Sequence, residues 1–343
     1  MKKKALIFGV TGQDGAYLSK FLLKKNYVVH GVKRKTSLIN TKRIDDIYEE
    51  PNKKKKSFFL HFGDVIDYGS VFNLITTIKP DEIYNLSAQS HVAVSFEIPE
   101  YTANTNALGA LRILEVIKNF NKKIKFYQAG TSELFGKVQE IPQNENTKFY
   151  PRSPYAVSKL FAHWITVNYR EAHDIFAANG ILFNHESPLR GETFVTQKIV
   201  KGLVKIKLGH REKLLLGNIY SKRDWGHAQD YVEGMWKILQ QRKPKDYVLA
   251  TGKTFTVKYF IKKVSEKLNL KLVWKGKGLK EKAYLNGKPV IEINKRYFRP
   301  SEVDLLIGDA RKARKELNWK PKKNLDSIID DMIFYEKKNF NGK

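Results

Sequence analysis

The chain has no cysteine and only three methionines among its 343 residues. That excludes a disulfide framework and any cysteine-ligated metal. No H-E-x-x-H and no clustered acid–histidine spacing occurs, so no metal is expected. Long apolar runs are missing as well, and nothing approaches the ~20 residues of a membrane span. The start, Met1-Lys2-Lys3-Lys4, imitates the basic end of a signal peptide. The apolar run behind it, Ala5 to Val10, is too short for the hydrophobic segment that must follow. A cytoplasmic protein with no membrane partner is expected. The sequon Asn85-Leu86-Ser87 then carries no meaning.

Acidic residues are also scarce: 35 against 63 basic ones, a formal net charge of +28. Such a balance fits nucleic-acid binding, an anionic small ligand, or a lysine-rich solvated surface. Short basic clusters lie at Lys53 to Lys56, Lys275 to Lys282 and Lys320 to Lys323, and there is no long basic arm or aromatic-interleaved motif. The solvated surface is favoured, with a minor contribution to an anionic ligand and no nucleic acid. Internal repeats and long Gly-, Pro- or Ser-rich linkers are absent, so the roughly two domains allowed by this length are closely joined.

What is present is an alternation. Short apolar runs at 4–9, 27–33, 57–63, 81–86, 123–129 and 177–183 read as buried strands. Helical spacing fills 15–25, 68–78, 105–119 and 154–172. Strands alternating with helices predict an α/β fold, a doubly wound parallel (Rossmann) sheet. Beyond about residue 184 the pattern turns irregular, with helices at 194–208 and 257–268 and strands at 245–250 and 271–274. The expected division is a dinucleotide-binding domain over 1–183, joined by a later segment around 218–240. A smaller α/β substrate-binding domain takes most of 184–343, over the carboxyl edge of the sheet.

Gly9-Val10-Thr11-Gly12-Gln13-Asp14-Gly15 follows the first strand and opens the first helix. Small residues there let the backbone approach a pyrophosphate at a helix N-terminus; three glycines alone suit an ordinary tight turn equally well. At the end of the second strand, where an NAD site carries an acid, stand Lys33, Arg34 and Lys35. Cations there suit a 2′-phosphate, which favours NADP. Asp64, just past the third strand, is placed either to accept from an adenine amino group or to cap a turn.

The chemistry is carried by Thr131-Ser132-Glu133 and Tyr155-x-x-x-Lys159. Tyrosine and lysine four apart share a helix face. An ammonium beside a phenol favours the phenolate, a proton acceptor near neutral pH. In an extended segment Thr131 and Glu133 point the same way, although a lone Thr-Ser-Glu is usually a helix cap.

These motifs resemble those of the extended short-chain dehydrogenase/reductases. Longer strings are sharper: NLSAQSHVAVSFE from Asn85 to Glu97, YPRSPY from Tyr150 to Tyr155, GILFNHESP from Gly180 to Pro188, RDWGH from Arg223 to His227 and RPSEV from Arg299 to Val303. They are similar to the GDP-mannose 4,6-dehydratase family, from Lys4 to about Pro321. The resemblance implies conversion of GDP-mannose to GDP-4-dehydro-6-deoxymannose and water, with NADP reduced and reoxidised in one turnover, a first step toward GDP-6-deoxyhexoses such as GDP-L-fucose or GDP-D-rhamnose. It implies Tyr155 as the base at the 4-hydroxyl, Lys159 holding it, Thr131 bonding the 4-oxygen, and Glu133 as the base at carbon 5 and donor to the departing water.

It further implies cofactor contacts at Gly9, Thr11, Gly12, Gln13, Asp14, Gly15, Arg34, Asp64, Val65, Leu86, Ala88, Ser90, Tyr101, Lys159, His185 and Arg190. Substrate contacts are implied at Ser90, Glu133, Asn184, Val195, Lys198, Arg223, Arg299 and Glu302. His185 is otherwise a satisfied core histidine, and Arg223 beside Asp224 a surface ion pair. The resemblance also implies a homodimer or homotetramer. Leu189 and Gln197 stand where many members have arginine, and Lys35, Leu38 and Ile39 depart from the family's loop. An epimerase or 4-reductase of the same fold is the alternative, but neither needs a base at carbon 5 two residues after Thr131.

Overall fold

The computed structural model describes residues 2–37, 39–48, 56–210 and 213–341; Leu38 and Lys53 to Lys55, named above, lie outside them. The order is β1 (Lys4–Phe8), α1 (Gln13–Lys24), β2 (Val28–Lys33), β3 (Phe58–Phe62), α2 (Tyr68–Ile78), β4 (Glu82–Asn85), α3 (Val92–Glu97), α4 (Pro99–Ala103), α5 (Gly109–Phe120), β5 (Lys125–Ala129), α6 (Pro154–His173) and β6 (Ala177–Leu182). Then come β7 (Asn184–Glu186), α7 (Val195–Lys207), β8 (Leu214–Leu216), β9 (Lys222–Arg223), β10 (Trp225–His227), α8 (Ala228–Leu239) and β11 (Tyr247–Leu249). The chain ends with β12 (Phe255–Thr256), α9 (Val257–Lys267), β13 (Val273–Lys275), β14 (Lys282–Leu285), β15 (Lys288–Ile293), α10 (Arg311–Leu317) and α11 (Leu325–Asn341).

Seven strands form one parallel sheet in the order β11-β6-β5-β4-β1-β2-β3. The doubly wound expectation holds. Strands such as β1 read as continuous apolar runs because helices cover both faces of the sheet: Ala5, Leu6 and Ile7 are fully buried. Helix α2 shows the local logic. Val71, Ile75 and Ile78 recur on one face and are buried, Asp67 caps the first turn by accepting from Gly69 N, and Lys79 ends it in the left-handed region before Pro80. The direction of winding reverses between β1 and β4, which opens a crevice at the carboxyl ends of those strands.

The predicted helix 105–119 differs. Residues Asn104–Leu108 form a π turn before α5. Asn106 accepts there from Gln89 N at 2.8 Å and donates to Ser158 Oγ at 3.1 Å. Side chains behind the crevice, invisible to periodicity, thus displace an ordinary turn.

A second sheet, β13-β14-β15-β8, is mixed. Helices α7, α9 and α11 pack together beside it, and Ile199, Leu203, Phe260, Ile261, Ile328 and Ile329 belong to one buried cluster with Leu214 and Ile291. Each large aliphatic side chain so buried contributes about 1.5–3 kcal/mol. Two short parallel strands, β7 and β10, pair between the sheets, with Asn184 opposite Trp225 and His185 opposite Gly226. Helix α8 then packs on α1, and β11 extends the seven-stranded sheet at β6. No helix among the described residues is long and apolar enough to cross a membrane.

Candidate active site

The glycine turn sits at the crevice. Gly9 has φ +83°, and a Cβ there would lie 2.9 Å from the Leu86 carbonyl carbon; a Cβ on Gly15 would lie 2.4 Å from Gly9 O. Neither position accepts a side chain, because the turn packs against the end of β4 and against its own backbone just ahead of α1. The turn is held from across the molecule. His185 donates from Nε2 to the Asp14 carboxylate at 2.9 Å and from Nδ1 to Phe183 O at 2.8 Å. Gln13 donates to His185 O at 3.1 Å and accepts from Ser187 Oγ at 2.7 Å. Burial alone would discharge His185, but the charge and hydrogen bond of Asp14, with the bond to Phe183 O, together outweigh it and raise its pKa. Burial likewise pushes the Asp14 carboxyl up, and His185 more than offsets it, leaving the pKa lowered. His185 is therefore a buried histidine with both ring nitrogens satisfied, and it also lines the cavity beside the glycine turn.

Gly9, Gly12, Gln13, Asp14, Gly15, Leu86, Ala88, Ser90, Lys159, His185 and Arg190 line one cavity of about 310 Å³. Arg34 and Asp64 line a separate one at the end of β2, with Lys35 and the half-exposed Phe62. Arg34 donates to the Tyr101 hydroxyl, so two expected cofactor residues meet. Asp64 spends one carboxylate oxygen on the backbone N of Ile66 at 3.2 Å, a local turn. Val65 is buried against Gly109. Thr11 lines neither cavity; its carbonyl accepts from Arg43 at 3.3 Å, and the same guanidinium reaches Leu189 O at 2.8 Å. Arg43, which lines the first cavity, is a site residue that the motifs did not signal.

At the other end, a cavity of about 290 Å³ is lined by Ser90, Glu133, Asn184, Val195, Lys198, Arg223, Arg299 and Glu302, all eight of the expected substrate contacts. His91, Phe194 and Tyr297 also line it and were not foreseen. Arg223, buried on β9, donates to Lys222 O at 3.0 Å. It does not pair with Asp224, whose carboxylate instead accepts from the backbone N of Thr251 and Gly252 at 2.9 Å each. Asn184 Oδ1 is buried with no hydrogen-bond partner, an acceptor left for a ligand donor. Arg190 pairs with Glu186 at 3.1 Å and stacks on Phe194.

Thr131, Glu133 and Tyr155 line both cavities. They do not lie in an extended segment. Residues Ser132–Leu134 form a 3-10 turn whose first backbone groups Thr131 caps, its Oγ1 accepting from Glu133 N at 3.2 Å. The cap and the chemistry are one arrangement, because the Thr131 side chain lines the same cavity walls as the Tyr155 phenol and works against the rise of its pKa. Lys159 donates to Ala129 O at 2.9 Å, which pins α6 to the end of β5.

Burial outweighs every neighbouring group at the Tyr155 phenol. Burial pushes Tyr155 up to about 12, against the opposing Thr131 bond, and Glu133 adds to the rise. Burial also lowers Lys159 to about 8. Glu133 is raised by burial, but Arg299 and then Arg223 outweigh that and hold the carboxyl below its ordinary value. No group of three or more potential metal ligands occurs among the described residues.

A sequence model of the family described as GDP-mannose 4,6 dehydratase matches residues 6–332. A GDP-mannose 4,6-dehydratase of Yersinia enterocolitica is 52% identical, covering 96% of this chain and 93% of the relative. One from Drosophila melanogaster is 54% identical, covering 96% and 85%. Among solved structures, a dTDP-glucose 4,6-dehydratase of Bacillus anthracis in complex with NAD superposes with a TM-score of 0.81 at 20% identity, over 99% of this chain and 98% of that one. The RMD protein of Pseudomonas aeruginosa complexed with NADPH gives 0.76 at 20%, over 99% of each. At such identities these two likenesses speak for the fold alone.

Proposed function

The chain belongs to the GDP-mannose 4,6-dehydratase family, and on that premise we propose that it acts as an NADP-dependent hydro-lyase through Thr131, Glu133, Tyr155 and Lys159. The observation that carries this is the wall shared by the two cavities, to which Thr131, Glu133 and Tyr155 all contribute. A hydroxyl, a carboxylate and a phenol there face a nucleotide cradle on one side and an arginine-lined cleft on the other.

What the cofactor supplies when bound is hydride removal at carbon 4, a positive charge while oxidised, and hydride return at carbon 6. Gly9, Gly12, Asp14 and Gly15 would hold its diphosphate end and Lys159 its nicotinamide ribose. Tyr155 takes the proton from the 4-hydroxyl, with the Thr131 hydroxyl bonding the 4-oxygen. The resulting ketone acidifies the neighbouring carbon 5. Glu133, a carboxylate of suitable basicity, removes that proton and then protonates the hydroxyl leaving carbon 6, so that water departs; a proton taken from solvent returns to carbon 5 as carbon 6 regains hydride. An epimerase or 4-reductase would leave Glu133 without work.

Arg223 and Arg299 suit the GDP diphosphate because a guanidinium binds phosphate oxygens bidentately. The remaining cleft residues would hold the sugar and ribose. The working division assigns 1–183 and the stretch near 218–240 to the cofactor, and most of 184–343 to the sugar nucleotide. NADP is preferred to NAD because Arg34 and Lys35 stand where an acid would bind a ribose hydroxyl. Val157, Phe161 and Trp164 form an exposed apolar row on α6, which supports a homodimer or homotetramer. Trp164→Glu is expected to sediment as a monomer, and an unchanged assembly would reject that face. Cytoplasmic action rests on the sequence.

The test of the reaction is incubation with GDP-mannose in deuterated water, followed by mass spectrometry. Loss of water with one deuterium gained is expected. A product of unchanged mass would instead speak for epimerisation.

A further inference from the structure

The carboxylate expected to act as a base is not free. One Nη of Arg299 donates to both Glu133 oxygens, at 3.1 and 3.3 Å. Glu133 is 8% exposed and lies within the field of Arg223 as well. A carboxylate held by a guanidinium is typically weakened as a base by 1–3 pKa units, which is the wrong direction for taking a proton from carbon.

The two arginines are anchored differently. Arg223 is 6% exposed on β9, whose pairing with β12 fixes its backbone. Arg299 is about a quarter exposed and stands on the connection between β15 and α10, past the short 3-10 turn Lys295–Tyr297. Its backbone N is held by Glu302 at 3.0 Å. A quarter of its side chain thus opens to solvent on the cleft side while its backbone is held.

Resting on the functional reading above, we propose that Arg299 is passed from Glu133 to the diphosphate of the arriving sugar nucleotide. The base is thereby released under bound substrate and kept quiet in the empty cleft. A diphosphate offers two negative charges and several oxygens to a guanidinium, against the single charge of Glu133. Once Arg299 leaves, burial acts on Glu133 opposed by Arg223 alone. The other groups facing this point are Tyr155, which shares the cavity wall, His91, which feels Arg299, and Glu302 and Asp304, which act on Arg223. Arg299 is thus a positioning residue for the base as well as a phosphate ligand.

The test is the pH dependence of wild-type turnover of GDP-mannose, whose diphosphate diester does not titrate in the range. The acidic limb of kcat/KM reports the free enzyme and that of kcat the complex. The kcat limb is expected to lie about 1–3 pH units higher. Calorimetric binding of GDP-mannose to Tyr155→Phe in two buffers should show proton uptake near pH ~5, lost when Glu133→Gln is added. In Arg299→Ala the two limbs should coincide. Coincident wild-type limbs and no proton uptake, with GDP-mannose bound and turned over, would overturn the proposal while leaving the dehydratase reading intact. Absence of both binding and turnover would overturn that reading and the proposal with it.

Discussion

His185 and Asp14 form an ion pair at 2.9 Å between β7 and the first turn of α1, 171 residues apart in the chain. The imidazole also stacks on Tyr231 of α8 at 4.5 Å. Three separate parts of the sequence thus meet under the glycine turn. The linkage has a definite sign. His185 has a raised pKa in the fold, so its contribution is complete below its ordinary value of 6.5 and is lost as pH rises through the higher folded one. Asp14, being lowered, contributes above 3.8 and loses that contribution as pH falls through its folded value. The stability gap between wild type and His185→Gln, measured by urea unfolding, should narrow as pH rises above 6.5. A gap independent of pH would mean that packing on Tyr231, and not charge, is what His185 contributes.

Glu133→Gln leaves Thr131 and Tyr155 in place but removes the base. It should reduce the cofactor once and then stall, with steady-state turnover down by about 10²–10⁴. Stopped-flow absorbance of the reduced nicotinamide reads the stall, and rapid turnover would remove Glu133 from the mechanism. Tyr155→Phe should fail even to reduce the cofactor.

Lys159 is lowered to about 8 by burial. The ammonium disappears as pH rises through that value, and with it the charge that favours a Tyr155 phenolate. An alkaline limb in kcat/KM near 8 is expected. Lys159→Arg keeps its charge to much higher pH, so it should move that limb upward whatever it does to the maximal rate. An unmoved limb would assign the titration to another group.

Arg34 projects from the end of β2 beside Tyr101. Arg34→Glu should weaken NADP by about 1.5–3 kcal/mol, the worth of a hydrogen bond to a charged group, and NAD much less. Equilibrium fluorescence titration of the two cofactors checks this. Equal losses would mean that Arg34 does not read the phosphate.

The cofactor half was legible because its strands are buried on both faces and its helices carry a clear 3.6-residue spacing. The later half was less so, for identifiable reasons. Strands β7 and β10 are three residues each and pair across 41 positions, too short for any periodicity. The β14–β15 hairpin did leave a mark that went unread. Asn286 and Gly287 have φ of +52° and +78°, the two left-handed positions of a tight turn that Asn-Gly favours. At the site, the motifs foretold which side chains converge, but not their charge states. The phenol at Tyr155 and the Glu133–Arg299 pair depend on burial and on residues more than a hundred positions away.

The seven-stranded sheet ends at one edge with Tyr247–Leu249, paired to β6, and α8 supports α1 from residues 228–239. A nascent chain that has released its first 183 residues therefore still has β6 as an open edge and α1 partly uncovered. The glycine turn cannot reach its final support until His185 and Tyr231 have also emerged from the ribosome. Vectorial synthesis delays the nucleotide cradle until more than two thirds of the protein has been made.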